Sequence, residues 1–295
     1  MFRVRRLLAP FVLCIALLFS EAQAFTIAWL SDTQNYHNAY KPIFDGMTQW
    51  IADNRAALDI RFVFHTGDVV GSWKSEDQWR QARESMGILS NASIPFLTVC
   101  GNHDIGYRMN YANFLKYVLS LRPASMSQEY GDTGSRYELF SANGRDYIFM
   151  GIAFSNKGPS EDEVNWINGV LRQYSSRDAI IITHSYLKKS ASYTTQGKAI
   201  FEKIVKANPN VFLVLCGHCR DISYKNVQLD DDGDGDPDRT VYAILSNFQG
   251  SKAGGGGYMR ILDFRDSDIY IYTYSPYYDS CEYPKGKTEA TVPLP

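Results

Sequence analysis

Several features are scarce in this sequence, and each scarcity excludes a class of function. Thirty basic residues are nearly balanced by 32 acidic ones, so the chain lacks the basic excess typical of nucleic-acid binding. Beyond the N-terminus it has no apolar run long enough to span a bilayer. We therefore predict no nucleic-acid partner and no membrane span in the mature chain. Only five histidines and five cysteines occur in 295 residues, so the position of each is informative.

The N-terminus carries the one long apolar run and is typical of an export signal. Residues 1–6 contain three arginines, residues 7–19 are apolar, and Ala22-Gln23-Ala24 matches a signal-peptidase site. We predict a signal peptide over residues 1–24 and an exported protein, periplasmic or extracellular; a retained signal anchor is the alternative. Cleavage removes three arginines and Glu21, which leaves 27 basic against 31 acidic residues and a net charge of −4.

Four cysteines remain in the mature chain. Cys100 and Cys216 end apolar runs, where a small buried thiol is expected. Cys219 and Cys281 are the pair that could form a disulfide, because export exposes a protein to an oxidising environment.

Strands and helices alternate in the first part of the mature chain. Apolar periodicity predicts strands at residues 25–30, 62–65 and 94–100, and helices at residues 42–54 and 75–89. Three strand–helix units in succession predict a largely parallel sheet with right-handed crossovers.

The pattern changes after a further helix near residues 111–119. Asn143-Gly144 between apolar runs predicts a β-hairpin, and Ser160 with Glu163 forms a capping box for a helix that ends near Tyr174. Further strands are predicted at residues 179–182 and 211–215, and antiparallel strands at residues 241–245, 258–263 and 269–274. We predict one domain over residues 25–283 and a loose polar tail over residues 284–295.

Five predicted strands are followed by polar residues of the types that ligate metals. The central motif is Gly101-Asn102-His103-Asp104, and the five residues are Asp32, Asp68, Asn102, His184 and His218. Each alone could belong to an ordinary polar loop. Open α/β sheets bind ligands at the carboxyl ends of their strands, so all five in that position predict one site. Their oxygen and imidazole donors suit Mn, Fe or Zn, and Asp68 could bridge two ions.

These motifs resemble the calcineurin-like metallophosphoesterase family. The matching segments are Asp32-Thr33-Gln34, Gly67-Asp68, Gly101-Asn102-His103-Asp104, His184 and Gly217-His218-Cys219-Arg220, in the family's order. The resemblance implies an α/β fold, a four-layer α/β/β/α sandwich of two mixed β-sheets flanked by helices. It also implies hydrolysis of phosphomonoesters or phosphodiesters, small-molecule or macromolecular, by a metal-activated water.

The resemblance further implies the ligands of one or two divalent or trivalent ions. One ion would use Asp68, Asn102, His184 and His218. The other would use Asp32, Asp68 and the residues at positions 34 and 220, where the family usually has histidine. Gln34 can ligate through its amide oxygen, but Arg220 stays protonated and cannot. We therefore expect Arg220 to point toward Asp32 or the phosphate, replacing part of a metal's charge.

The remaining histidines are predicted to have roles other than metal binding. By the resemblance, His103 would serve the leaving oxygen as an acid or as a hydrogen-bond donor in the transition state, and Asp104 would fix its tautomer. His37 follows the first motif and either lines the substrate cleft or is a solvated loop histidine. His65 lies within a strand, and we predict a hydrogen-bonded structural role.

An acidic stretch at residues 230–238 is a separate feature. Asp230, Asp232, Asp234 and Gly235 match the beginning of a calcium-binding EF-hand loop, but Val241 stands where the loop's final Glu is expected. Calcium binding and a merely solvated hairpin turn are both open.

Two other functions compete with hydrolysis. Cys216-Gly217-His218-Cys219 has the spacing of a thiol–disulfide oxidoreductase. A catalytically weakened phosphoester-binding protein on the same fold is also consistent with Gln34 and Arg220. The sequence leaves the natural substrate and the oligomeric state open.

Overall fold

The computed structural model describes residues 24–121, 128–284 and 289–295. Two mixed β-sheets lie face to face and helices cover both outer surfaces, so the predicted four-layer sandwich is confirmed. The predicted signal peptide lies outside the described residues except for Ala24. Among the described helices, none combines the length and apolar character that a bilayer crossing would require.

The strands and helices follow the chain in a simple order. The strands are β1 (Phe25–Leu30), β2 (Ile60–His65), β3 (Phe96–Thr98), β4 (Gln128–Tyr130), β5 (Ser135–Ala142), β6 (Arg145–Ile152), β7 (Asp178–Thr183), β8 (Val211–Cys216), β9 (Asp221–Leu229), β10 (Arg239–Asn247), β11 (Met259–Phe264), β12 (Asp268–Tyr274) and β13 (Ala290–Pro293). The helices are α1 (Lys41–Asp53), α2 (Glu76–Asn91), α3 (Asn102–Ile105), α4 (Ala112–Tyr117), α5 (Glu161–Gln173) and α6 (Thr195–Ile200), the last continuing as a π-helix over Phe201–Val205.

Each sheet combines parallel and antiparallel strands, with the parallel ones at one edge of the first sheet and in the centre of the second. The first sheet has the order β13-β12-β11-β1-β2-β3, with β1, β2 and β3 parallel. The second has the order β4-β5-β6-β7-β8-β10-β9, with β6, β7, β8 and β10 parallel. The strand over residues 241–245, expected to be antiparallel, therefore pairs in parallel with β8 and antiparallel with β9. The carboxyl ends of the parallel strands carry the predicted site.

The core lies between the two sheets and under each helical layer. Inward-facing side chains of both sheets, such as Phe62, Phe64 and Phe149, pack together with ring centroids 4.8–5.6 Å apart. Each such buried side chain contributes about 1.5–3 kcal/mol of hydrophobic free energy. Helix α1 packs by Phe44 and Met47, which recur at helical spacing.

The local signals of the sequence work as expected at most element ends. The Ser160 hydroxyl accepts a hydrogen bond from the Glu163 backbone N–H at the beginning of α5. The Glu163 carboxylate instead accepts from the Ser135 hydroxyl, so half of the predicted capping box forms. The hairpin at Asn143-Gly144 joins β5 and β6.

The prediction of a loose C-terminal tail is wrong for the last residues of the chain. Strand β13 pairs antiparallel with β12, and Val292 is buried between the sheets. The residues that pair are Ala290–Pro293, at the edge of the first sheet. A terminal strand can pair there because an edge strand such as β12 leaves its outer backbone groups free.

Candidate active site

The five predicted ligands follow strands of both sheets at the same edge of the sandwich. The residues are Asp32 after β1, Asp68 after β2, Asn102 after β3, His184 after β7 and His218 after β8. Backbone hydrogen bonds join these loops, since Asp32 N–H donates to Gly67 O and Gly217 N–H donates to His184 O. The two sheets thus contribute loops to one cleft.

Four of these residues form one compact group. Ligand atoms of Asp68, His184 and His218 all lie within 4.8 Å of one another. His184 Nε2 is 3.1 Å from Asn102 Oδ1 and 3.3 Å from Asp68 Oδ2. Two imidazoles, a carboxylate and an amide oxygen therefore face a common point, the arrangement that a transition-metal ion requires.

Neighbouring groups orient these side chains. His184 Nδ1 lies 2.8 Å from the Thr66 carbonyl oxygen, which can only accept, so Nδ1 carries the hydrogen and Nε2 faces the cluster. The other Asp68 oxygen, Oδ1, accepts from the His103 backbone N–H at 2.8 Å. The Asn247 side chain donates to the His218 carbonyl at 3.1 Å.

The backbone of the site adopts conformations that side chains rarely favour. Asp32, Asp68 and His218 have φ values of 52°, 52° and 69°, in the left-handed region. Two glycines allow the carboxylates to lie close to the backbone. A Cβ on Gly101 would lie 2.2 Å from Asp68 Oδ1, and a Cβ on Gly217 would lie 2.3 Å from Asp32 Oδ2. The glycines of the two motifs are therefore needed for close approach.

The buried charges of the cleft are mostly negative. Burial, reinforced by Asp68, raises the pKa of Asp32 to about 7, while His184 acts in the opposite direction. Burial disfavours the charged form of His184, but Asp68, Asp32 and the Thr66 carbonyl together outweigh it and raise the His184 pKa to about 9. Burial and the neighbouring His184 lower the pKa of His218 to about 4. Buried carboxylates need a compensating cation, so the group fits a metal ion.

The residues of the predicted second position behave differently from expectation. Gln34 is buried, and its Nε2 donates to Asp68 Oδ2 at 3.1 Å and to Gln249 Oε1 at 2.8 Å. Arg220 is exposed and makes no ion pair with Asp32, so the expected contact with Asp32 is wrong, whereas a contact with the phosphate stays a prediction. The Asp32 carboxylate instead accepts from the Ser31 hydroxyl and the His218 backbone N–H.

Asp104 does not contact His103, contrary to the prediction. Its buried carboxylate accepts from the backbone N–H groups of Val69, Val70 and Gly101, at 2.7–3.0 Å. His103 Nδ1 lies 3.0 Å from the Gly71 carbonyl oxygen, which therefore fixes the tautomer of His103. Asp104 holds the loop after β2 against α3, and His103 stands exposed at the rim of the cleft.

Comparison with known proteins shows to which family a chain with this geometry belongs. The model of the calcineurin-like phosphoesterase family matches residues 25–219, which include all five strand-end ligands. The chain belongs to the calcineurin-like phosphoesterase family. It is also 41% identical over 259 residues to the uncharacterized protein YvnB of Bacillus subtilis (strain 168), which covers 86% of this chain. The chain spans about a fifth (20%) of the length of that relative.

Solved structures share the calcineurin-like fold at low sequence identity. A dimetal phosphatase from Danio rerio is 13% identical with a TM-score of 0.62, over 91% of this chain and 98% of that one. GAP50 of Plasmodium, described as the anchor in the inner membrane complex, is 14% identical with a TM-score of 0.59, over 92% of this chain and 89% of that one. The fold therefore serves both an enzyme and an anchor, and function must be argued from the site.

The two other histidines of the chain lie beside the cleft. His37 is half-buried, and its Nδ1 lies 3.0 Å from the Gln34 carbonyl oxygen. His65 is fully buried, with its ring nitrogens against Thr33 Oγ1 and the Gly67 N–H. Burial above all lowers the pKa of His65 to about 3, so it is a neutral structural residue, as predicted.

A cavity of about 470 Å³ opens beside the metal-ligating group. Asn102 and His218 line it together with Phe154, Lys188 and Thr194. Lys188 is exposed and makes no ion pair among the described residues. The cleft thus continues into a pocket with one cationic side chain at its wall.

The acidic stretch forms the tip of the hairpin between β9 and β10. Carboxylate oxygens of Asp230, Asp232 and Asp238 lie within 4.8 Å of one another, whereas the sequence pointed to Asp234 in place of Asp238. Much of their accepting capacity is used by the loop's own N–H groups, such as those of Gly233 and Gly235 on Asp230. Calcium binding there stays a prediction.

The cysteines do not form the predicted disulfide. Cys100, Cys216, Cys219 and Cys281 are all free thiols. Burial raises the pKa of Cys216 to about 12 and raises that of Cys219, the opposite of the activated thiolate that an oxidoreductase needs. The Cys216–Cys219 motif joins two strands and opens no helix, so the oxidoreductase alternative gains no support.

Proposed function

We propose that this protein is a metal-dependent phosphoesterase that hydrolyses phosphomonoesters or phosphodiesters with a metal-activated water. The observation that carries the proposal is the convergence of Asp68, Asn102, His184 and His218 on one point, with His103 exposed beside it. Membership of the calcineurin-like phosphoesterase family supports the same reaction class. A divalent ion bound by this group would lower the pKa of a water ligand and neutralise charge on the phosphoryl oxygens.

The protein's own side chains perform the remaining tasks. His103 Nδ1–H donates to the Gly71 carbonyl, so a protonated His103 would give its Nε2 proton to the leaving oxygen and be left as the neutral ring. Asp68 holds His103 through its backbone N–H, which places the proton donor beside the ligand group. The 470 Å³ cavity next to Asn102 and His218 has room for the alcohol part of the ester, and Lys188 favours an anionic substrate there.

Two variants test the assignment. We expect His103→Ala to lower kcat on p-nitrophenyl phosphate or bis-p-nitrophenyl phosphate about 100-fold or more while bound Mn²⁺ stays unchanged. His218→Ala should lose both metal and activity, because its imidazole is a ligand. Elemental analysis and steady-state rates with added Mn²⁺ separate the two. Equal loss of metal in both variants would contradict the roles.

The alternative is a phosphoester-binding protein without turnover. GAP50 of Plasmodium, an anchor by its description, shares the fold, which keeps this alternative in the test. A wild-type chain that binds Mn²⁺ and inorganic phosphate but hydrolyses neither p-nitrophenyl ester would favour it.

We also propose export, on the sequence of residues 1–24. N-terminal sequencing of the protein recovered from outside the cytoplasm should begin at Phe25. An intact N-terminus on a membrane-bound protein would favour the signal anchor.

A further inference from the structure

The position that the family gives to a second metal is lined differently in this chain, and one of its residues lies outside the family motifs. The family's histidine positions here hold Gln34 and Arg220, and Arg220 is exposed. Strand β10 lies next to β8 in the second sheet, and the residues after it reach the cleft. Gln249 is the one that contacts Gln34.

The side chains of Gln34, Asp68 and Gln249 lie close together in the cleft. Gln34 Nε2 is 3.1 Å from Asp68 Oδ2 and 2.8 Å from Gln249 Oε1. Neighbouring oxygen ligands of an octahedral ion are separated by about 3 Å when the metal–oxygen bonds are about 2.1 Å long. The Gln34 side chain is thus separated from each of the two oxygens by the distance that neighbouring metal ligands have.

The carboxamide of Gln34 leaves its oxygen without a partner. Gln34 is only 4% exposed, and its Oε1 has no hydrogen bond among the described residues. A buried acceptor without a partner costs about 1–3 kcal/mol. Rotating the planar amide by 180° exchanges Nε2 and Oε1 with little change of shape. After that rotation three oxygens, from Gln34, Asp68 and Gln249, would face one another, which only a cation makes favourable.

We propose that Gln34, Asp68 and Gln249 hold a second cation through oxygen atoms, with Gln249 replacing the family's last histidine. In the metal-free chain the Gln34 N–H groups occupy the position and satisfy the two acceptors. The proposal rests on the proposed function only in sharing Asp68 with the first metal position.

Gln249 is held in place for this role. Its backbone N–H donates to Asn247 Oδ1 at 2.9 Å, and its carbonyl accepts from the Asn35 side chain at 3.4 Å. Asn247 is itself buried and bonded to the carbonyl of His218, a ligand of the first position. The loop after β10 is therefore fixed relative to both positions, which reduces the entropy cost of ligation.

The donor types of the two positions differ. The first has two imidazoles, which suit Zn²⁺ and Mn²⁺, whereas the second has amide and carboxylate oxygens, which suit Mn²⁺ and Mg²⁺. Neutral amides also bind cations more weakly than charged ligands do. We expect one tight and one weak Mn²⁺ site per chain, and the weak site should discriminate against Zn²⁺.

Manganese titration of the full, chelator-stripped chain tests this. The EPR signal of free Mn²⁺ should report two bound ions in the wild type. Gln249→Leu should lose the weak ion and keep the tight one within about twofold, and Gln249→Glu should strengthen the weak ion by about tenfold, because it adds a charged oxygen. Gln173→Leu, an exposed substitution on α5, is the matched control and should bind as the wild type does.

Three results would overturn the proposal. They are a wild type that holds one ion at saturating Mn²⁺, a Gln249→Leu chain that holds two ions at wild-type affinities, and a gain of an ion in Arg220→His. If Gln249→Leu fails to fold, as circular dichroism would show, an unchanged affinity in Gln249→Glu overturns it instead. Activity of the wild type is measured separately, so the proposed function stands or falls on its own data.

Discussion

Single side chains in the cleft carry charges that burial makes costly. Asp32 and Asp68 are each only 1% exposed, and three backbone N–H groups engage the buried carboxylate of Asp104. Burial above all, with Asp68 acting in the same direction, raises the pKa of Asp32 and of Asp104 to about 7. The neighbouring His184 lowers the pKa of Asp68 against the effect of burial, so Asp32 and not Asp68 is the acid of the cleft whose proton a cation would displace.

We expect metal binding to release protons, and to release more of them at pH 6 than at pH 8. Below its pKa of about 7 Asp32 carries a proton, and a nearby cation favours the ionised form, so the apparent Mn²⁺ affinity falls as the pH falls through 7. Calorimetric titration in buffers of different ionisation enthalpy counts the protons. Asp32→Asn should release fewer at pH 6; an unchanged number would show that Asp32 does not titrate with binding.

Asp104→Asn should destabilise the fold by about 1–3 kcal/mol, measured by urea denaturation at pH 8, where the carboxyl is ionised. The amide keeps one oxygen for Val69 and Val70 but presents N–H groups to the Gly101 N–H. His103→Ala is the control, because that side chain is exposed and its loss should leave the free energy of unfolding nearly unchanged. If both variants were equally stable, Asp104 would not be needed to hold these backbone groups. The predicted role, in which Asp104 serves only His103, would then be favoured again.

At the scale of elements, the loop between β7 and α6 determines what surrounds the substrate. A β-bridge between Leu187 and Tyr193 closes it, and Lys188 N–H donates to the Ser192 carbonyl at 2.8 Å. Thr194 caps α6 through its hydroxyl. The sequence showed none of this, because a short loop and a six-residue helix have weak periodicity.

Lys188→Ala should raise KM for p-nitrophenyl phosphate about fivefold with little change in kcat, since Lys188 lines the cavity and lies away from the leaving oxygen. The neighbouring Lys189 is the matched control, because it pairs with Asp221 at 2.6 Å. Added salt should reduce the Lys188 effect by screening. Similar KM values in Lys188→Ala and Lys189→Ala would remove Lys188 from the substrate's path.

At the scale of the whole molecule, the terminal strand β13 completes the first sheet and covers β12. Val292 is 2% exposed and belongs to the core between the sheets, whereas Thr291 is exposed. The last residues of the chain thus contribute to the same core as β1, which carries Asp32 at its end.

Val292→Ala should lower the free energy of unfolding by about 2 kcal/mol. The substitution removes two buried carbon groups and leaves a cavity in the core, and both effects are destabilising. Thr291→Ala on the same strand should cost much less. Urea denaturation of the two variants makes the comparison. Equal small effects would mean that the terminal residues do not pack in solution.

Much of the fold and of the first metal group follows from the sequence itself. Periodicity placed the strands, and ligand-type residues after them predicted the convergence of Asp68, Asn102, His184 and His218. The physical reason is general: parallel strands end at one edge of a sheet, so residues that follow them meet whatever the side-chain details.

Tertiary structure alone decided the partners of individual polar groups. That Asp104 holds backbone N–H groups, that Arg220 faces solvent and that Gln249 meets Gln34 depend on which strands are neighbours and on the left-handed backbone at Asp32, Asp68 and His218. Gln249 lies 215 residues from Gln34 along the chain, and no ligand-type pattern marks it. Strand β10 places it in the cleft because it pairs in parallel with β8, a long-range pairing that local sequence does not encode.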